Sequence, residues 1–203
     1  QNGNENTQFY GLPLHGGTMK AIIYEEGTRN SGPILSEDGK KLYYTSSKGN
    51  PTYLNAYCYN LESEKEEIVL KGEGAVTFLY DFSPNEEVFL YLKYFSNTYT
   101  LLYAKRGDEN ILLTPPTEQQ HTVSDACFVS NELIYLLTDY HADFTYLASY
   151  NLETNEFIKI KVLENESFTM LKYNEEQQRL YIVSEKGVED HLYMYDLLSN
   201  NWE

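Results

Sequence analysis

The chain has 203 residues, 41% of them hydrophobic, and its 31 acidic against 15 basic side chains give a formal charge of −16. That balance excludes a surface of clustered Lys and Arg, and with it nucleic acid and anionic membranes as partners. No apolar run approaches the roughly 18 residues of a membrane-spanning helix, and the 20 Tyr against a single Trp suit a protein made of strands.

Residues 1–28 finish a structural unit instead of beginning one. A strand is expected over 7–14, with Pro13 marking an edge or a bulge. His15, Gly16, Gly17 and Thr18 turn the chain into a second strand over 19–24. Residues 29–74 then supply four strand-length segments. Ile34-Leu35-Ser36 leads through Glu37-Asp38-Gly39-Lys40 into Leu42-Tyr43-Tyr44-Thr45. Past Gly49-Asn50-Pro51 come a third segment ending Tyr59-Asn60-Leu61 and a fourth ending Ile68-Val69-Leu70. Connections this short make an antiparallel meander, because parallel strands need long crossovers.

The pattern repeats over 75–121, 122–165 and 166–203, the last unit stopping at Trp202 and Glu203, where its fourth strand is due. Two markers give the period. The second strand opens at Leu42, Val88, Leu133 and Leu180, steps of 46, 45 and 47 residues. The third ends on Leu12-Pro13-Leu14, Tyr59-Asn60-Leu61, Tyr150-Asn151-Leu152 and Tyr195-Asp196-Leu197, with Ala104-Lys105-Arg106 in the drifted unit.

A recurrence of about 46 residues with four strands per unit predicts an all-β fold, part of a β-propeller of four-stranded antiparallel blades. The expected boundaries are the end of a blade at 1–28, blades at 29–74, 75–121 and 122–165, and an incomplete blade at 166–203. The two ends supply five strands where one shared blade needs four. A piece of a larger propeller is therefore expected, with exposed blade edges open to self-association.

Leu35-Ser36-Glu37-Asp38-Gly39-Lys40-Lys41-Leu42-Tyr43-Tyr44, echoed by Phe82-Ser83-Pro84-Asn85, resembles the blades of TolB-like propellers and of the N-terminal propellers of prolyl oligopeptidase-family serine peptidases. Tyr10-Gly11-Leu12-Pro13-Leu14-His15-Gly16-Gly17 is similar to a segment of the acylaminoacyl-peptidase branch. The resemblance implies a non-catalytic propeller that caps and gates a downstream α/β-hydrolase domain acting on peptide substrates. The alternative is a free-standing TolB-like scaffold for a protein or peptide. That nucleophile would sit on a G-x-S-x-G elbow, and no such sequence occurs in this chain. No catalytic, cofactor or metal residue is therefore assigned. The remaining reading, a hydrolase in its own right, predicts turnover of an aminoacyl-naphthylamide.

Four histidines, His15, His121, His141 and His191, form no H-x-x-x-H pair. Asp139 and Asp143 flank His141 and could bind a cation, or simply belong to a polar loop. Glu86 and Glu87 form a pair of the sort that holds a peptide ammonium group, yet follow Ser83-Pro84-Asn85 as a solvated turn would. Residues 62–67 and 174–177 read as charged turns, and Gly72-Glu73-Gly74 is too short to cradle a phosphate. Cys58 and Cys127, 69 positions apart, are expected as buried free thiols of a cytoplasmic protein.

Overall fold

The computed structural model describes residues 6–203, and all regular structure in that span is β-strand. Two compact units emerge, one ending at Leu79 and one spanning Tyr80–Glu203. The first holds a two-stranded sheet, β1 (Phe9–Gly11) and β2 (Lys20–Ile23). It also holds a four-stranded sheet of β3 (Asn30–Leu35), β4 (Lys41–Ser46), β5 (Asn55–Asn60) and β6 (Lys65–Lys71). The second holds three four-stranded sheets, and the boundary between units falls inside the first strand of the first of them. These are β7 (Val76–Phe82) to β10 (Glu109–Leu112), with β8 (Val88–Ser96) and β9 (Tyr99–Arg106) between. Next come β11 (Val123–Phe128), β12 (Leu133–Thr138), β13 (Tyr146–Asn151) and β14 (Glu156–Lys161). Last are β15 (Ser167–Asn174), β16 (Arg179–Lys186), β17 (Glu189–Asp196) and β18 (Asn201–Trp202). We number these four-stranded blades 1 to 4. Each is an antiparallel meander in strict chain order, the topology of a β-propeller blade.

The repeated phrases in the sequence are turn chemistry. Ser36 Oγ accepts the backbone N–H of Lys41 at 2.9 Å and donates to Asp38 Oδ1, while Ser83 Oγ accepts from Val88 N at 3.0 Å and donates to Asn85 Oδ1. The side chain of Ser130 serves Leu133 N in the same way, at 3.1 Å. These bonds close the first hairpin of a blade from within a few residues, so the motif survives while the rest drifts. The Tyr-Asx-Leu triplet closes the last hairpin. Asn60 Oδ1 accepts from Glu62 and Ser63, Asn151 Oδ1 from Glu153 and Thr154, and Asp196 Oδ1 from Leu198 and Ser199. Blade 2 lacks the Asx and turns through Gly107 at φ 56° instead.

Four expectations are corrected. The unit over 166–203 is not a strand short, because Asn201 and Trp202 pair with Asp196 and Tyr195 as β18 and complete its sheet. The second-strand marker slips by one residue in blades 1 and 4. Ser36 N donates to Lys41 O as Ser83 N does to Val88 O, and Arg179 pairs with Asp196 as Leu133 pairs with Asn151. Lys41 and Arg179 therefore match Val88 and Leu133; the strand mouth carries a charged residue in these two blades, so apolar type alone lies one position off. Lys65, Glu66 and Glu67 belong to β6 and not to a turn, since the Asn60 turn is complete at Glu64. Pro13 lies beyond β1, where its carbonyl accepts from Gly16 N in a turn, and the strand's irregularity falls at Phe9/Tyr10.

In the first unit, Ile23, Leu42, Tyr44 and Tyr57 form a core with Phe9 and Tyr59 against it. Asn50 Nδ2 donates to Leu54 O, Asn55 Oδ1 and Gly72 O, drawing the loop after β6 onto the one before β5. Gly72 fits only because it lacks a Cβ, which would stand 2.1 Å from Leu54 O.

In the second unit both faces of β12 are covered. Ile134 and Leu136 join Val88, Leu90, Leu102 and Ala104 of blade 2 in one core. Tyr135, Leu137 and Leu147 join Phe168, Leu171, Leu180, Ile182 and Tyr195 of blade 4 in another. A strand covered on both faces loses its polar alternation, and 133–137 accordingly reads as an unbroken apolar run.

Candidate functional site

The first strands of blades 2, 3 and 4 are joined by carboxylates. Asp81 Oδ2 accepts the backbone N–H of Phe128 at 3.0 Å, 47 residues away, and Asp125 Oδ2 accepts that of Leu171 at 2.7 Å, 46 residues away. Asp125 Oδ1 takes a further bond from Ala126 N at 2.9 Å. Each carboxylate thus ties one blade's first strand to the next by satisfying a backbone donor the blade's own ladder leaves over. In register, Asp81 and Cys127 occupy equivalent rungs, and Lys172 takes that rung in blade 4.

Burial sets the electrostatics of this group. Desolvation pushes the carboxyls of Asp81 and Asp125 above the usual carboxylate range, against the backbone bonds and Lys172, which act to lower them. Burial raises the Tyr80 phenol well above its ordinary value, with Asp125 adding to it, and Tyr80 donates to Ser124 O at 2.6 Å. The Cys127 thiol is pushed far up by burial and by the two carboxylates, so it is protonated and a poor nucleophile at neutral pH. Two carboxylates that carry a desolvation cost, with one exposed lysine beside them, can hold a cationic group such as an ammonium and offer no nucleophile. Among the described residues, no three His, Cys, Asp or Glu side chains gather closely enough to hold a metal ion.

A second polar group closes the upper end of blade 4. Glu166 Oε1 accepts from Ser184 Oγ, from His191 Nδ1 at 3.0 Å and from Tyr193 OH at 3.1 Å. Hydrogen bonds from Ser184, then His191 and Tyr193, hold the Glu166 carboxyl below its usual range. Serine, histidine and glutamate are all present, but the order of a catalytic triad is not. Ser184 is buried and bonds the carboxylate directly, so the imidazole has no hydroxyl to activate. The group fastens the loop between β14 and β15 to the hairpin of β16 and β17.

The first unit has a cavity of about 160 Å³ bounded by Ile22, Tyr24, Glu25, Tyr44, Lys48 and Glu66, among others. Lys48 Nζ lies 2.9 Å from Glu66 and 3.1 Å from Glu25, and Tyr44 donates its hydroxyl to Glu66. Its polar walls are paired with one another.

The residues singled out in the sequence are scattered. His15 is exposed in a turn, and His121 is buried, its ring bonding Thr114 Oγ1 at 3.0 Å and Gln119 O at 3.3 Å. Exposed His141 lies edge-on to Tyr140, while Asp139 accepts from Thr122 N and so secures its own loop. Glu86 adopts φ 59° in the first-hairpin turn, and exposed Glu87 accepts from Asn85 Nδ2. Cys58 and Cys127 are both free thiols. Asp81 and Asp125 were not candidates by sequence. The only trace they leave is a charged residue inside a largely apolar first strand.

No family model matches the chain, and no curated protein matches it. Solved structures do. The chain superposes on TolB from Acinetobacter baumannii with a TM-score of 0.72 at 13% identity, over 96% of its own length and 47% of that chain. It superposes on an oligogalacturonate lyase in complex with manganese with a TM-score of 0.70 at 15% identity, covering 97% of itself and 58% of the lyase. On puromycin hydrolase the TM-score is 0.70 at 12% identity, covering 96% of this chain and 34% of the hydrolase. The fold is that of the β-propeller in these proteins, and the chain spans about half or less of TolB and puromycin hydrolase.

Proposed function

We propose that the chain is a non-catalytic propeller module that screens peptides for a prolyl oligopeptidase-like serine hydrolase domain carried downstream in its parent protein. The observation behind this reading is the pair of half-buried carboxylates, Asp81 and Asp125, on adjacent first strands with Lys172 alongside. Neighbouring carboxylates raise the local concentration of cations and can hold a peptide ammonium. The fold likeness to a third of puromycin hydrolase supports the same reading. A free-standing peptide-binding scaffold is the second reading, favoured by the likeness to TolB. Two free thiols suit a cytoplasmic setting for either.

Titration of the purified chain with short peptides, followed by calorimetry or NMR, tests the shared part. Peptides with a free amino terminus should bind, and their acetylated forms should not. Asp125→Asn should weaken binding about tenfold, the loss of one charge-assisted contact. Equal behaviour of free and acetylated peptides sinks the ammonium role. The reading frame after Glu203 separates the two readings. A G-x-S-x-G elbow in an α/β region supports the peptidase, and further blades alone support the scaffold. Purified chain incubated with an aminoacyl-naphthylamide should release no product.

A further inference from the structure

The upper ends of blades 2 and 3 carry a row of aromatic rings, part of it open to solvent. In blade 2 the hairpin of β8 and β9 is the longer one. Since Val88 matches Leu133, Lys93 matches Thr138, where β12 stops, whereas β8 runs on to Ser96. Phe95 is the extra residue of a bulge there, between Tyr94, which pairs with Thr100, and Ser96, which pairs with Tyr99. A bulge re-aims the side chain it carries. Phe95 is 46% exposed and stacks on Tyr99 with ring centroids 4.9 Å apart.

From Tyr99 the row passes to His121 at 6.5 Å, to Tyr140 at 5.1 Å and to exposed His141 at 4.3 Å, each pair edge to face. Buried His121 thus joins the hairpin of blade 2 to the β12–β13 loop of blade 3, where Phe144 is 38% exposed. The row is held in place without a ligand. Both ring nitrogens of His121 are bonded, and the Tyr140 carbonyl accepts from Tyr146 OH at 2.8 Å. It lies at the ends of strands in the middle of the chain, and not on a sheet face that a further blade would cover.

The charges around these rings have one sign. Between Arg106 and Lys159 the chain has no Lys or Arg. Asp139 and exposed Asp143 flank His141, and exposed Glu118 precedes Gln119, whose carbonyl bonds the His121 ring. Nearby tyrosines already receive cations from the chain itself. Lys93 Nζ lies 5.6 Å from the Tyr103 ring centre, and Lys159 Nζ lies 4.0 Å from that of Tyr146. Among the described residues no such cation lies over Phe95, Tyr99 or Tyr140. Ring faces attract a cation, and a carboxylate beside them adds a charge-assisted hydrogen bond. A guanidinium meets both demands, because it is flat enough to stack and forked to match a carboxylate.

We propose that this row is a docking site for an arginine-rich segment of a partner polypeptide. Its guanidinium groups stack along the exposed rings, and Asp139, Asp143 and Glu118 balance their charge. The proposal does not rest on the ammonium role of Asp81 and Asp125, and a peptide with a blocked amino terminus separates the two.

The test is calorimetric titration of the purified chain with an acetylated, amidated peptide of alternating Gly and Arg. The same peptide with citrulline for Arg is its uncharged isostere. The arginine peptide should bind about tenfold more tightly or better. Phe95→Ala should weaken it about two- to fivefold, the share of one exposed cation–π contact, and Asp143→Asn should weaken it to a similar degree. Phe95 is exposed at a hairpin end, so the Trp202 emission of Phe95→Ala should stay native. Asp125→Asn, and Glu175→Gln in the β15–β16 turn at the opposite ends of the strands, should leave the affinity unchanged. No binding, equal binding of the citrulline peptide, or an affinity indifferent to Phe95→Ala overturns the proposal. So does a loss with Glu175→Gln as large as with Asp143→Asn, which is the general attraction of a chain of charge −16.

Discussion

Leu147 and Leu192 hold the same position in consecutive blades, so one substitution made at both isolates burial from everything else. Leu147 is 0% exposed between blades 3 and 4, and Leu192 is 67% exposed. Leu→Ala removes three carbons, worth about 2.4 kcal/mol of transfer energy at roughly 0.8 kcal/mol each when fully buried. At Leu147 the cavity left behind adds to this, giving about 3 to 4 kcal/mol. At Leu192 only about a third of the side chain is shielded, so the cost should be about 0.8 kcal/mol with no cavity. Urea titration followed by Trp202 fluorescence is the assay. That indole is the chain's only one, stacks on Tyr195 at 4.5 Å and packs against the same core as Leu147. In that titration Leu147→Ala should lower the unfolding free energy about 2 to 3 kcal/mol more than Leu192→Ala does. Equal losses at the two positions would refute the burial argument and the blade equivalence beneath it.

Other outcomes follow from the same packing. The carboxyl of Asp81 is raised in the folded state, so the fold binds more protons than the unfolded chain between the ordinary carboxylate pKa and the folded one. Stability from this group is therefore greatest in acid and falls as pH rises through the folded pKa. Asp81→Asn retains an acceptor for Phe128 N and should raise the thermal midpoint at pH 7 while leaving it unchanged near pH 3, within the reach of differential scanning fluorimetry. Gly72→Ala would put a Cβ 2.1 Å from Leu54 O and 2.4 Å from Tyr53 O, both backbone atoms. It should cost about 3 kcal/mol or more in a urea titration. Cys58 is buried and the Cys127 thiol is held protonated, so an aromatic disulfide reagent at pH 8 should label neither in the native protein and both in guanidinium.

How much of this the amino-acid sequence determined depends on the range of the interaction. The period, the meander and the turns were legible because Ser36, Ser83, Asn60, Asn151 and Asp196 act on backbone groups two to five residues away. The apolar run of β12 stands in the sequence, but that both its faces are covered is shown only by the two cores that meet on it. The one-residue slip at Lys41 and Arg179 was not legible, because hydrogen-bond register, and not residue type, defines equivalence there. The roles of Asp81, Asp125 and Glu166 were decided only by tertiary structure. Asp81 and Asp125 bond backbone groups 47 and 46 residues on, and Glu166 gathers donors from residues 18 to 27 positions away. A carboxylate inside a strand has the same local appearance whether it faces water or a neighbouring blade. Only packing removes the water, and with it sets the charge cost that makes Asp81 and Asp125 a candidate site.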